Sequence, residues 1–121
     1  MEDLKLATDF WVIGINYRKA DTEVRGQYAV SDQQYEAILS AAPAFGVSGL
    51  FVLSTCNRTE LYGLASASEP LIALLCSQTA GSRADFEAQA YRKNGREALS
   101  HIFHVAAGLD SQILGDYEII G

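Results

Sequence analysis

Two apolar runs, Leu50-Phe51-Val52-Leu53 and Glu60-Leu61-Tyr62-Gly63-Leu64-Ala65, flank a single polar hexapeptide, Ser54-Thr55-Cys56-Asn57-Arg58-Thr59. No other feature of the sequence limits the fold as much. Each run has the length of a strand and is too short for a packed helix. A connection this short keeps consecutive strands side by side and makes them antiparallel. The rest of the chain must be arranged around that hairpin.

Before it, Phe10-Trp11-Val12-Ile13-Gly14-Ile15 is an apolar run ending at Asn16, rich in β-branched and aromatic residues, and is expected to form a buried strand. A charged stretch follows from Tyr17 to Gly26. Ser31-Asp32-Gln33-Gln34 is a capping box: the Ser31 hydroxyl takes an amide of the first turn and Gln34 reaches back. Tyr35, Ile38, Leu39 and Ala42 then recur at helical spacing until Pro43 and Gly46 end the helix. After the hairpin, Pro70 suits the first turn of a helix that Leu71, Leu74, Leu75 and Gln78 continue. Phe86, Ala88 and Ala90 alternate with Glu87, Gln89 and Tyr91, the pattern of a half-exposed strand. Asn94-Gly95-Arg96-Glu97 opens a last helix through Ala107, with Asn94 as its expected cap. The order β-α-β-β-α-β-α predicts an α+β, ferredoxin-like split βαβ sandwich: an antiparallel sheet with helices packed on one face.

Composition narrows the class. The 121 residues fit one domain of ordinary apolar content, 49%, which needs neither metal nor disulfides to fold. No apolar run approaches the ~20 residues of a membrane span. The start, Met1-Glu2-Asp3-Leu4-Lys5, is acidic rather than a secretion signal, which points to the cytoplasm and away from a membrane. Cys56 and Cys76 lack zinc-ligand spacing, so no metal site is expected. The net charge of −6 argues against bulk electrostatic gripping of a phosphate backbone. No glycine-rich phosphate loop occurs, so no nucleotide site is expected in this chain.

Chemistry concentrates between Ser54 and Glu60. Cys56 sits among small polar residues with Arg58 two positions on, a setting in which a thiol can act as nucleophile and turn amides can face an oxyanion. A cysteine that merely occupies a turn is equally compatible with these residues. Cys76, among Ala73, Leu74 and Leu75, is expected to be a core residue. In the last helix Ala98, Leu99, Ile102, Phe103 and Ala106 define an apolar face centred between Ile102 and Phe103. His104 lies opposite it and is expected in solvent, whereas His101 falls on its border and can reach a groove or the core edge. Arg18, Lys19 and Arg25 read as a solvated charged turn.

The stretch from Ser54 to Tyr62 closely resembles the signature of glutamyl-tRNA reductases, the first enzymes of the five-carbon tetrapyrrole route. Gly14-Ile15-Asn16 with Glu23-Val24-Arg25, His101-Ile102-Phe103, and Gly108-Leu109-Asp110-Ser111 through Leu114-Gly115 agree in order and spacing. The resemblance runs from about Val12 to Gly121. It implies that residues 1–121 form an N-terminal catalytic domain of ferredoxin-like type. In such enzymes a cysteine attacks the ester of glutamyl-tRNA, and NADPH reduces the resulting thioester to glutamate-1-semialdehyde. Carried over by position, Cys56 is the nucleophile and His101 the histidine important for activity. Thr55, Asn57 and Arg58 line the glutamate pocket, and Ser111 binds substrate.

Where the family commonly reads Glu-Pro-Gln, this chain has Asp116-Tyr117-Glu118, which places substrate contacts at Asp116, Tyr117 and Glu118 with altered chemistry. The resemblance further implies an NADPH site and a dimerisation region outside this chain. It implies a homodimeric full-length protein, glutamyl-tRNA as partner through its aminoacylated end, and handover of product to the next pathway enzyme. This chain alone is then expected not to complete the reduction. The competing reading is a non-catalytic ferredoxin-like module that binds a ligand or partner. An independent cysteine hydrolase is disfavoured, since no protease signature accompanies the thiol.

Overall fold

The computed structural model describes residues 8–108. Within them β1 (Phe10–Asn16), β2 (Ser48–Ser54), β3 (Arg58–Leu64) and β4 (Tyr91–Asn94) form one sheet in the order β2-β3-β1-β4. Every neighbouring pair is antiparallel. The helices are α1 (Thr22–Gln27), α2 (Asp32–Ala41, continued by a 3-10 turn over Ala42–Phe45), α3 (Glu69–Ser77), α4 (Arg83–Gln89) and α5 (Arg96–Ala106). β3 lies between β1 and β2, and β1 lies between β3 and β4, so the two βαβ halves interleave as a split βαβ sandwich requires. The expected α+β fold is the one observed.

Strand alternation divides the side chains between two layers. Ile13 and Ile15 of β1, Val52 of β2 and Leu61 of β3 face the main core, where they meet Ile38 of α2, Leu71, Leu74 and Leu75 of α3, and Phe86 of α4. Val12 of β1 and Tyr62 of β3 face the other way, onto Ala98 of α5, with Phe10, Phe51 and Ile102 packed around them. The helices of the two halves thus share one face as expected, and the helix that follows β4 covers part of the other. On that second face Gly14, Asn16, Arg58, Glu60 and Tyr91 lie in register, because Gly14 pairs with Glu60 and with Tyr91, and Asn16 pairs with Arg58.

Local chemistry explains the elements. The Ser31 capping box is complete: Ser31 accepts from the Gln34 amide at 3.2 Å and the Ser31 amide donates to Gln34 Oε1 at 2.7 Å. Gly46 closes the following turn at φ 75°, in the left-handed region that favours glycine.

Three sequence expectations are corrected. Residues 86–90 are not a strand: Arg83–Gln89 is a helix capped by Ser82, whose hydroxyl takes the Asp85 amide, and the strand begins at Tyr91. Alanine alternating with polar residues satisfies either period, and only Phe86 is buried, which a single helical turn achieves as well as a strand. Asn94 does not cap α5; it ends β4 and its amide donates to the carbonyls of Thr8 and Phe10, while Gly95 opens the helix. Phe103 does not centre the packed face of α5 but is 70% exposed, and the helix buries its Ala98–Val105 edge instead. The charged stretch also holds a helix, α1, which Asp21 caps through the Val24 amide.

Candidate active site

The hairpin turn is tighter than the hexapeptide suggests, because Arg58 and Thr59 already belong to β3. Thr55, Cys56 and Asn57 form its tip. The Thr55 amide donates to the Arg58 carbonyl at 2.8 Å, and the Thr55 hydroxyl accepts the Asn57 amide at 3.2 Å. The Asn57 carbonyl accepts the Tyr17 amide at 3.0 Å, which ties the tip to the loop after β1. Cys56 is exposed at the apex with its thiol free of any disulfide. Thr55 is half-buried, and Asn57 and Arg58 are buried.

The two arginines near the turn exchange their expected places. Arg58, 2% exposed, points inward and lies 3.6 Å from the Glu60 carboxylate. Arg25 instead reaches the cysteine: its Nε donates to the Cys56 carbonyl at 3.3 Å, while its remaining nitrogens bind the Ala20 carbonyl and the Thr22 hydroxyl. A solvated turn is thus the right description of Arg18 and Lys19, which are exposed, but not of Arg25.

Glu60 is the hub that the sequence did not single out. Its side chain is 0% exposed and accepts three hydrogen bonds: Tyr62 at 2.7 Å on Oε1, and Tyr91 and the Nε2 of His101 on Oε2, the last at 2.5 Å. Gly14 makes room for this cluster, since a Cβ there would stand 2.8 Å from Glu60 Cγ and from the Tyr91 hydroxyl. Burial opposes ionisation of Glu60, but the His101 hydrogen bond and charge, with the Tyr91 and Tyr62 hydroxyls, outweigh it and hold the carboxyl below its usual range. Burial and the Glu60 charge push the Tyr91 hydroxyl well above its ordinary value, so it stays a donor. Two signals bear on it: Glu60 stands inside the Ser54–Tyr62 signature, and the alternation of β3 puts it in the same row as Arg58 and Tyr62.

His101 leaves the border of the helix and turns inward, its side chain only 10% exposed. It lines a cleft of about 200 Å³ with Asn16, Arg18, Lys19, Tyr91 and Lys93. His104 is exposed, as its phase suggests, and bonds only the Ser100 carbonyl of its own helix. Cys76 packs against the main core and its thiol is pushed up by burial, as expected of an inert cysteine. Ser111, Asp116, Tyr117 and Glu118 lie outside the described residues.

The chain matches the sequence profile of the family described as Glutamyl-tRNAGlu reductase, N-terminal domain, over residues 13–121. It belongs to this family. A glutamyl-tRNA reductase of Christiangramia forsetii is 46% identical over 122 residues, covering 99% of this chain and 29% of that protein. One from Flavobacterium psychrophilum is 50% identical over 111 residues, covering 92% and 27%. Among solved structures, the glutamyl-tRNA reductase of Methanopyrus kandleri superposes with a TM-score of 0.70 at 30% identity, covering 92% of this chain and 25% of that one. The chain thus spans under a third of the reductases it matches.

The described residues do not fit a nicotinamide dinucleotide. None of the three strand-to-helix connections, after β1, β3 and β4, carries the glycine-rich turn that lets a pyrophosphate approach backbone amides. After β1, the Asp21 carboxylate already occupies the helix N-terminus and would repel phosphate. Among the described residues no group of three His, Cys, Asp or Glu is placed to hold a metal ion, and no helix is long and apolar enough to cross a membrane.

Proposed function

We propose that this chain is the acyl-transfer domain of a glutamyl-tRNA reductase in the five-carbon tetrapyrrole route, with Cys56 as its nucleophile. The observation that carries this reading is the pairing of an exposed thiol at the apex of a tethered turn with a buried cluster of Arg58 and Glu60 from the next strand and His101 from α5. The Cys56 sulfur attacks the ester carbonyl of glutamyl-tRNA. A C–S bond forms, the C–O bond to the ribose breaks, and the thiol proton ends on the released ribose oxygen with His101 as its carrier. The glutamyl group remains as a thioester.

Thr55 and Asn57 flank the sulfur and form the wall of the glutamate pocket. Arg58 is its cation for the substrate carboxylate, and shares its charge with Glu60. Ser111 and the Asp116-Tyr117-Glu118 segment complete the substrate contacts. A thioester accepts hydride far more readily than an oxygen ester, which explains a cysteine rather than a serine at position 56. The NADPH and the dimerisation region of the homodimer belong to parts of a longer protein outside these 121 residues, so no reductive step is assigned to this chain. The next enzyme of the route, to which product is handed, meets that longer protein.

Incubation of the chain with glutamyl-tRNA labelled in the glutamyl group, followed by an acidic gel, tests the reading. Label on protein that is lost in Cys56→Ser and kept in Cys76→Ser is the expected result. A correctly folded chain that takes up no Cys56-dependent label, and whose Cys56 alkylates no faster than a free cysteine, leaves the non-catalytic module as the better account.

A further inference from the structure

Glu60 makes a demand on His101 that its sequence position does not reveal. An ionised carboxylate only accepts hydrogen bonds. Three groups approach this one: the Tyr62 hydroxyl on Oε1, and the Tyr91 hydroxyl and His101 Nε2 on Oε2. All three must therefore donate, and Nε2 of His101 must carry a proton. Tyr91 does not relax that demand by ionising, since burial of its hydroxyl and the neighbouring Glu60 charge hold the phenol protonated. The Arg58 guanidinium, 3.6 Å away and also buried, adds a positive charge beside the carboxylate. Gly14 opposite gives this cluster its room, because the space a side chain would need is filled by Glu60 and Tyr91.

We propose that Glu60 is a positioning residue that locks His101 in the Nε2–H tautomer and so reserves its Nδ1 lone pair for the cleft that His101 lines. The catalytic meaning rests on the acyl-transfer reading above: Nδ1 is then the base that the cleft offers to the proton released in that transfer. The tautomer itself does not depend on that reading. Tyr91 and Tyr62 act one step further out. They fix the carboxylate in the plane that meets the ring, and the Tyr91 ring lies 5.3 Å from the imidazole, which limits its rotation. No other titratable side chain among the described residues touches the His101 ring nitrogens.

Nitrogen-15 spectroscopy of the two histidines of this chain in their neutral form reads the tautomer directly. His104 serves as the internal reference, because its Nδ1 faces the Ser100 carbonyl and its state is independent of Glu60. In the wild-type chain His101 is expected as a single Nε2–H tautomer. In Glu60→Gln, whose amide can donate to Nε2 as well as accept from it, the preference is expected to collapse to a mixture, with His104 unchanged. Tyr91→Phe keeps the carboxylate and is expected to keep the tautomer. A wild-type His101 protonated on Nδ1 overturns the proposal, whatever the variants do. So does a well-dispersed Glu60→Gln spectrum in which Nε2–H persists unaltered.

The same variants separate the two readings when glutamyl transfer to Cys56 is timed. With the tautomer changed, Glu60→Gln is expected to slow labelling at least tenfold at saturating glutamyl-tRNA, and Glu60→Asp to recover part of the rate. Loss of labelling in the wild type with the tautomer intact removes the acyl-transfer reading and leaves the positioning of His101 standing. A changed tautomer with an unchanged labelling rate overturns the catalytic part of the proposal.

Discussion

Glu60 and Leu61 are neighbours in one strand, both at 0% exposure, and they face opposite layers of the same sheet. Leu61 enters a dry core of aliphatic side chains from β1, β2, α2 and α3, where any apolar residue of similar volume can contribute. Glu60 enters a layer in which each neighbour is specified: a glycine for space, two phenols and an imidazole as donors, and an arginine as counter-charge. The first face holds the domain together by area. The second spends burial on orientation, since taking a carboxylate out of water is repaid only when its partners are in place. A sheet with one face covered and the other partly so can separate stability from chemistry by the parity of residue number alone.

Substitutions on either side of that parity test the division, beginning with the largest effect. Glu60→Ala removes the buried carboxylate on which Arg58, Tyr62, Tyr91 and His101 converge and is expected to cost roughly 3–5 kcal/mol in denaturant unfolding. It is also expected to abolish the proposed glutamyl transfer. Leu61→Ala, on the other face, is expected to cost about 2–5 kcal/mol through the cavity it leaves, while His101 keeps its tautomer and folded protein keeps its labelling rate. An equal loss of labelling per folded molecule in both variants would break the comparison. Gly14→Ala intrudes on Glu60 and Tyr91 and is expected to cost about 1–3 kcal/mol, with a mixed His101 tautomer as its signature. Cys56→Ser, at an exposed apex, is expected to change stability by less than about 0.5 kcal/mol yet remove all covalent label.

Acid and alkali sharpen the same contrast. The folded Glu60 carboxyl lies below its ordinary value of 4.5, so its contribution is complete above that pH and is lost as pH falls through the lowered folded value. Tyr91 is raised above 10.0 when folded, so its contribution is complete below that pH and is lost as pH rises through the raised value. The stability gap between wild type and Glu60→Gln is therefore expected to be widest near neutrality and to narrow in acid. The gap for Leu61→Ala is expected to stay flat across the same range, measured by urea midpoints.

The sequence carried the dry face well and the polar face poorly. Hydrophobic period and caps located β1, β2, β3, α2 and α3, because those elements are held by area and propensity, which are local. α4 was misread since Phe86, Ala88 and Ala90 satisfy two periods at once and tertiary packing chose between them. The phase of α5 was misplaced because Phe103 outweighs His101 in hydrophobicity, whereas the buried carboxylate on the sheet offers the histidine a charged hydrogen bond that no helical pattern encodes. For the same reason the motif disclosed Cys56 and its flanks but not Arg25, which reaches the turn from across the fold.

The turn that carries Cys56 is held by the Thr55 amide on the Arg58 carbonyl and by the Tyr17 amide on the Asn57 carbonyl. Both are main-chain bonds and do not depend on which residues supply them. Drift at position 55 that keeps a hydroxyl on the Asn57 amide can therefore alter what the rim of the turn admits while the sulfur stays at the same address, so that related chains can differ in selectivity without relearning how to aim.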